Sequence, residues 1–352
     1  MKTRRLYLPL FLTVFLPMLL IAQTQIVGDW ERKARTVFND WYSLPGQDPL
    51  LTIETDMRQL LKDKFKEDYQ PAVVSYTAAD GSTVRQELKI RTRGNRRKEV
   101  CNFPPTKFKF DKTILLQQGV LPFNKLKLVN ECRATKDFSG YLLKEYLAYR
   151  LYNVLTPASF RVRLVRLRYL DSEEKEKPTD MYGIVLEPQA ELAARLDGVP
   201  VELSVTYFVH LDREQAARLA FFQYMIGNTD WNVTNMHNLI TLKLPEVRKL
   251  TPIPYDFDYC GMVGTPYAVP HESLPINDVR QRYHKGQEMS EAELAALVGQ
   301  FKALEPEFRT VCREVEHIDP KVTEEAIRFL EYFFKMLDKP KTLERVFVKG
   351  RQ

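Results

Sequence analysis

Several features that would decide a function outright are missing. Beyond its first 22 residues the chain has no apolar stretch long enough to cross a membrane. It has no Gly-x4-Gly-Lys-Ser/Thr run and no Gly-x-Ser-x-Gly elbow, which removes the P-loop site and the serine-hydrolase turn. Its five histidines (His210, His237, His271, His284 and His317) form no His-x3-His or His-Glu-x2-His pair, which argues against a zinc hydrolase. Four cysteines, Cys101, Cys132, Cys260 and Cys312, are spaced far from the Cys-x2-Cys patterns of zinc sites. They read as structural disulfides or inert buried thiols, with three pairings open. No internal repeat or low-complexity linker divides the chain.

What is present is globular. Of 352 residues, 44% are hydrophobic, enough for one large domain with a sizeable core. Lys2, Arg4 and Arg5 precede the apolar run Leu6 to Ile21, and polar sequence resumes at Gln23. That is a signal-peptide layout over residues 1–22, with cleavage expected after Ala22 and export to the periplasm or beyond the cell. Leu20 stands where a small residue is preferred, so an uncleaved anchor is the alternative. No cysteine ends the run, which argues against a lipoprotein. Removing the segment lowers the net charge from +6 to +3. So mild a balance gives no reason to expect a nucleic-acid partner.

Asp48 to Lys66 carries Leu51, Ile53, Met57, Leu60, Leu61 and Phe65 at helical intervals and is expected to be mostly helix. Ala72 to Tyr76 and Val84 to Arg93 alternate on either side of Asp80-Gly81, a hairpin signal. Thr106 to Phe110 and Lys125 to Val129 alternate as well. Ser139 to Leu155 predicts a helix stopped by Pro157. Phe160 to Leu170 then alternates with arginines on one face, and Met181 to Leu186 is a short apolar strand. Asp212 to Ile226 predicts a helix with Asp212 as N-cap and Gly227 just past its end. Two short strands flank Pro245, and Ser290 to Leu337 reads as two or three amphipathic helices. The class is α+β, with a sheet-rich part at about residues 45–190 and a helical part at about 191–352.

Two segments carry the chemistry. Gly227 to Asn235 follows a helix and holds Asp230 and Asn235 five apart. One loop can thereby offer a carboxylate to a substrate hydroxyl and an amide oxygen to a metal. Tyr255-Asp256-Phe257-Asp258 follows a strand-like run, and carboxylates two apart in extended chain share a side. Such hard oxygens suit Mg²⁺ or Mn²⁺ on a nucleoside triphosphate. Lys107 and Lys109 share one side of a strand. Either is placed to hold phosphate if Glu145, on the following helix, orients it. Arg93-Gly94-Asn95 breaks the preceding strand where a phosphate-covering loop belongs. His271, Arg280, Arg282, His284 and Lys285 read as a solvated basic rim.

In this order, five stretches resemble the spore coat protein H (CotH) kinase-like family. They are Ile90-Arg91-Thr92-Arg93-Gly94-Asn95, Lys107 to Phe110, Tyr182-Gly183-Ile184-Val185-Leu186-Glu187, Asn228 to Asn235, and Tyr255-Asp256-Phe257-Asp258. The pattern is also similar to a group of secreted proteins of Bacteroidetes-type bacteria. It covers roughly residues 80–290. The resemblance implies an atypical protein-kinase-like fold with a sheet-rich N-lobe and a helical C-lobe. It further implies ATP-dependent, metal-dependent phosphorylation of protein hydroxyls. Asp230 would be catalytic, and Asn235 and Asp256 would ligate metal with Asp258 as a second carboxylate. Lys107 or Lys109 would contact phosphate, Glu145 would pair with it, and Glu187 would meet the adenine. The stretch from Asn95 to Lys107 departs from the family by its length, Cys101 and Pro104-Pro105, which leaves the glycine loop and the choice of lysine open. ATP is scarce outside the cytoplasm, so an inactive envelope protein that binds a partner or glycan is the alternative. Nucleotidyl transfer is the neighbouring chemistry.

Overall fold

The computed structural model describes residues 34–315 and 319–350. The expected signal peptide lies outside these residues. In chain order the first half comprises α1 (Val37–Tyr42), β1 (Leu50–Thr55), α2 (Met57–Lys62), β2 (Gln70–Thr77), β3 (Thr83–Thr92), α3 (Arg96–Val100), β4 (Thr106–Lys109), α4 (Lys112–Gln117), β5 (Lys125–Asn130), α5 (Lys136–Leu155), β6 (Val162–Asp171) and β7 (Thr179–Leu186). The seven strands close into a barrel in the order β1-β2-β3-β4-β5-β7-β6. Every ladder is antiparallel except the closing one, in which β1 runs parallel to β6 from Leu50↔Arg166 to Thr55↔Asp171. Alternation drives the closure. Leu51, Ile53, Val74, Leu88, Ile90, Phe108, Leu126, Leu128 and Leu167 bury one face of their strands in a single cluster. Phe38 and Trp41 of α1 join it, and the Trp41 ring meets Phe108 and Phe110 edge-on at 6.0 Å.

This barrel overturns the expected two-lobe kinase-like fold with a sheet-rich N-terminal lobe. The reason lies in Asp48 to Lys66. Only α2 in that stretch is helical, and Leu50–Thr55 is extended, with Leu51, Ile53 and Thr55 buried in alternation. The additional strand supplies the partner that β6 would otherwise lack. An edge becomes a seam, and the sheet closes on itself.

The second half comprises α6 (Gln189–Arg195), β8 (Val199–Pro200), a 3₁₀ turn (Phe208–His210), α7 (Arg213–Met225), β9 (Leu239–Lys243), β10 (Thr251–Pro254), α8 (Glu291–Arg313), α9 (Pro320–Leu337), α10 (Pro340–Leu343) and a π turn (Glu344–Val348). Strands β10, β9 and β8 form a small sheet. Helix α5 joins the two halves. It buries residues around most of its circumference, including Lys144 and Glu145. Its apolar side chains share one core with Val162, Leu164, Ile184 and Leu186 from the outside of the barrel and with α7, α8 and α9. Asp212 caps α7 by accepting from the Gln215 amide, and Ser290 and Glu293 form a capping box on α8.

Cys101 and Cys132 form a disulfide that ties the end of α3 to the end of β5. Cys260 and Cys312 are buried free thiols, each pushed up to about 12 by burial and so held unreactive.

Candidate functional site

Three breaks in regular structure meet at one cleft of about 580 Å³, lined among others by Arg93, Asp230, Asn235, His237, Asp256 and Asp258. The first is the turn after β3, where Gly94 takes φ +88° and lets the chain enter α3. The second follows α7, where Gly227 takes φ +66°. A Cβ there would come within 2.9 Å of the Phe329 ring, so the helix stops and the loop carrying Asp230 begins. The third follows β10. Asp256 itself takes φ +64°, a left-handed conformation that costs a non-glycine residue about 1–3 kcal/mol. Its amide donates to the Tyr149 hydroxyl of α5 at 2.8 Å, which helps hold the turn.

Beneath the cleft lies a buried guanidinium. Arg97 of α3 donates from Nε to Asp258 Oδ2 at 2.8 Å and from a terminal nitrogen to Glu145 Oε2 at 2.7 Å. Asp256 Oδ1 lies 3.6 Å from the same nitrogen. One cation thus gathers three carboxyl groups from α5 and the turn after β10. Burial and the neighbouring carboxylates outweigh Arg97 at Glu145 and push its carboxyl up to about 8. Burial likewise raises Asp258. Burial also opposes the ionisation of Asp256, but the combined field of Arg97, Arg93 and Lys127 prevails and lowers it. Asp256 is therefore the one of the three whose ionisation the site favours, and 32% of its side chain remains exposed.

Asp230 is held on both sides. Oδ1 meets His237 Nε2 at 3.0 Å, and Oδ2 accepts from Asn238 Nδ2 at 3.0 Å. Lys285 reaches under the loop and donates to the carbonyls of Thr229 and Trp231, which flank Asp230. The hydrogen bond to Asp230 raises His237 above its ordinary 6.5, against the smaller effects of burial and Lys285. Because the folded value is the higher one, the ion pair is complete below the ordinary value and is lost as pH rises through the folded one. Solvent reaches half of the His237 side chain, which limits the stabilisation to about 0.5 kcal/mol. In an NMR titration the His237 ring should titrate above 6.5, and Asp230→Asn should move its midpoint back down. A midpoint indifferent to that substitution would remove the pairing.

The structure brings Arg93, Asp230, Asn235, Asp256 and Asp258 together and leaves the other expected residues elsewhere. Glu145 pairs with Arg97 and not with Lys107 or Lys109. Lys109 is exposed, 5.6 Å from the Tyr69 ring, and Lys107 faces Lys127 across the β4–β5 ladder. Neither lysine lines the cleft. Glu187 does not line it either. It is buried in ion pairs with Arg161 and Arg195 at 2.8 and 2.9 Å. Asp258 is engaged by Arg97 and by the Tyr267 hydroxyl, which donates at 2.9 Å, so it is no open ligand. The expected basic rim is partly folded inward, since Arg282 donates to the Met225 and Phe329 carbonyls while Lys285 supports the Asp230 loop.

Sequence reasoning missed Arg97, Asn238 and Lys127, weighed His237 only as a zinc ligand, and read Lys285 as part of a solvated rim. Lys127 of β5 does not line the cleft either, but its charge acts on Asp256. Its ammonium stands 4.8 Å from the Tyr255 ring, and burial, then Arg93, lowers it to about 8 against the pull of Asp256. Its signal was available, because Lys125 to Val129 alternates with Lys127 on the side opposite Leu126 and Leu128.

Among the described residues, no group of three or more His, Cys, Asp or Glu side chains is gathered to hold a metal. No protein-family model matches the chain, and no curated protein matches it in sequence.

Proposed function

We propose that the chain is an exported phosphotransferase. It would move the terminal phosphoryl group of ATP, with Mg²⁺ or Mn²⁺, onto a hydroxyl of a protein or small-molecule acceptor. One observation carries this reading: Asp230, Asn235, Asp256 and Arg93, from three separate segments, line a single cleft. The order of motifs that resembles the CotH family supports it.

The donors fit a metal that arrives with its nucleotide. Asp256 offers a charged, partly exposed carboxylate, and Asn235 is exposed at the same cleft. Mg²⁺ is usually held by one or two carboxylates together with substrate phosphates, not by an all-protein cage. An incomplete protein ligand set is what that habit requires. When bound, the metal supplies charge neutralisation on the phosphoryl oxygens. Arg93 would face the phosphates, and Lys127, behind the Tyr255 ring that lines the cleft, would add its charge from the second row, which a triphosphate would restore by offsetting its burial. Asp230, fixed by His237 and Asn238, would orient the acceptor hydroxyl and take its proton. The Cys101–Cys132 disulfide supports an oxidising compartment.

The test is calorimetry of the wild-type protein with ATP, with and without Mn²⁺, followed by mass spectrometry of acceptor proteins incubated with the complex. Metal-dependent heat and a phosphate-sized adduct are expected. A nucleotidyl-sized adduct would replace the reaction but keep the site. Absence of metal-dependent nucleotide binding would end the proposal. The second reading, a partner-binding envelope protein without catalysis, draws on the fact that both oxygens of Asp230 are already engaged. It requires Asp230→Asn to rescue a deletion strain in full.

A further inference from the structure

The outer face of the barrel carries an array of like charges, of which the proposed site uses only Lys127. Across β3, β4 and β5 the register sets Lys89 opposite Lys109 and Lys109 opposite Lys125. One step toward the cleft, Arg91 faces Lys107 and Lys107 faces Lys127. Leu88, Ile90, Phe108, Leu126 and Leu128 of the same strands point into the barrel, so all six cations share its outside. Like charges directly opposite in a ladder destabilise the pairing, and here the arrangement recurs at each step. Glu67 relieves Arg91. Among the described residues, no carboxylate lies within ion-pair distance of Lys89, Lys107, Lys109, Lys125 or Lys127. Three strands assembled against their own repulsion are suited to an anion brought from outside.

The inner row runs on into the cleft through Arg93, whose charge is felt at both Lys107 and Lys127. The outer row continues away from it. We propose that this face docks an acidic stretch of polypeptide, the segment beside the hydroxyl that receives the phosphoryl group. That purpose rests on the phosphotransfer reading; the docking does not. The two rows lie two residues apart along each strand, about 6.6 Å. Alternate side chains on one side of an extended peptide repeat at the same interval, so successive carboxylates meet successive rows. Among the described residues, the rings beside these cations are already covered: Tyr69 carries Arg91 and Lys109 at 5.2 and 5.6 Å and Tyr255 carries Lys127 at 4.8 Å, which leaves a poor stacking platform for single-stranded nucleic acid. The six outward positions offer no apolar side chain to enter a lipid surface.

The experiment is fluorescence anisotropy of labelled oligoglutamate with the full mature chain, at low and at moderate salt. Wild type should bind, and added salt should weaken it. The double reversal Lys89→Glu with Lys125→Glu should bind at least about tenfold more weakly, while Mn²⁺–ATP affinity by calorimetry stays within about twofold. Cooperative melting checks the fold of that variant, and Lys89→Gln with Lys125→Gln replaces it if it does not fold. Equal binding by wild type and variant, or no binding by wild type, overturns the proposal. So does tighter binding of oligouronate, oligothymidylate or anionic vesicles than of oligoglutamate. Oligoglutamate binding without any Mn²⁺–ATP binding would uphold the docking face and reject the phosphotransfer reading.

Discussion

Asp256→Ala should abolish metal-dependent ATP binding, whereas Asp230→Asn should bind Mn²⁺–ATP normally and transfer phosphate about 10²- to 10⁴-fold more slowly. The two carboxylates line one cleft but stand in different settings. Asp256 lies in the field of Arg97, Arg93 and Lys127, which keeps it ionised, and its left-handed backbone aims it from the end of β10. On the proposed reading, losing it removes the carboxylate that would ligate the metal. Outer partners of a metal ligand are themselves worth about 10–100-fold in affinity, so loss of the ligand should exceed that. Asp230 lies across the cleft, held by His237 and Asn238. An amide there keeps size and most hydrogen bonding but cannot take a proton, and general-base loss costs about 10²–10⁴ in rate. Calorimetry and a radiolabel transfer assay separate the two. If Asp256→Ala binds nucleotide as wild type does, the metal assignment is wrong. If Asp230→Asn transfers at the wild-type rate, the base is elsewhere.

Arg97→Met should destabilise the fold by about 3–5 kcal/mol, the cost of leaving buried partners of a broken ion pair unmatched. That lowers the melting temperature by on the order of 10 °C. The guanidinium is 9% exposed, and the Glu145 and Asp258 side chains are 3% and 7% exposed. The loss depends on pH in a stated direction. Burial already raises both carboxyls, Glu145 to about 8, so the folded chain keeps protons that the unfolded chain has released. Stability therefore falls as pH rises from the ordinary carboxyl range toward 8. Arg97 is the main opposing charge. Without it the deficit should be small near pH 5 and largest near pH 8. A variant that melts like wild type at pH 8 would show that Arg97 does not hold the turn after β10 against α5.

Much of the element order was legible, because strands such as Val84 to Arg93 alternate between a buried and a wetter face, and helices such as Asp212 to Ile226 are marked by a capping aspartate and a terminal glycine. Closure of the barrel was not. β1 shows only three inward positions before Met57 and Leu60 begin a helix, and the merged pattern imitates one longer helix. Its pairing with β6 is a parallel contact between distant segments, which no local period reports. The site was legible where an apolar run ends in polar residues, at Asp230, Asn235 and Asp256. It was illegible where partners are set by register and by tertiary contact. Glu145 was assigned a strand lysine, yet a five-residue helix in a stretch read as loop delivers Arg97 to it. Glu187 follows a strand and looks available. Only the fold shows Arg161 and Arg195 closing over it.

The seam between β1 and β6 imposes an order on assembly. Leu50 leaves the ribosome long before its partner Arg166, and so does Thr55 before Asp171. β2 can pair with β1 and β3 from neighbouring sequence, but the other edge of the first strand must wait with unpaired backbone groups until the sixth exists. A nascent or truncated chain ending before β6 presents an open, apolar strand to any other chain nearby. Fragments lacking the sixth strand should therefore aggregate more readily than the whole chain, a consequence of one parallel ladder.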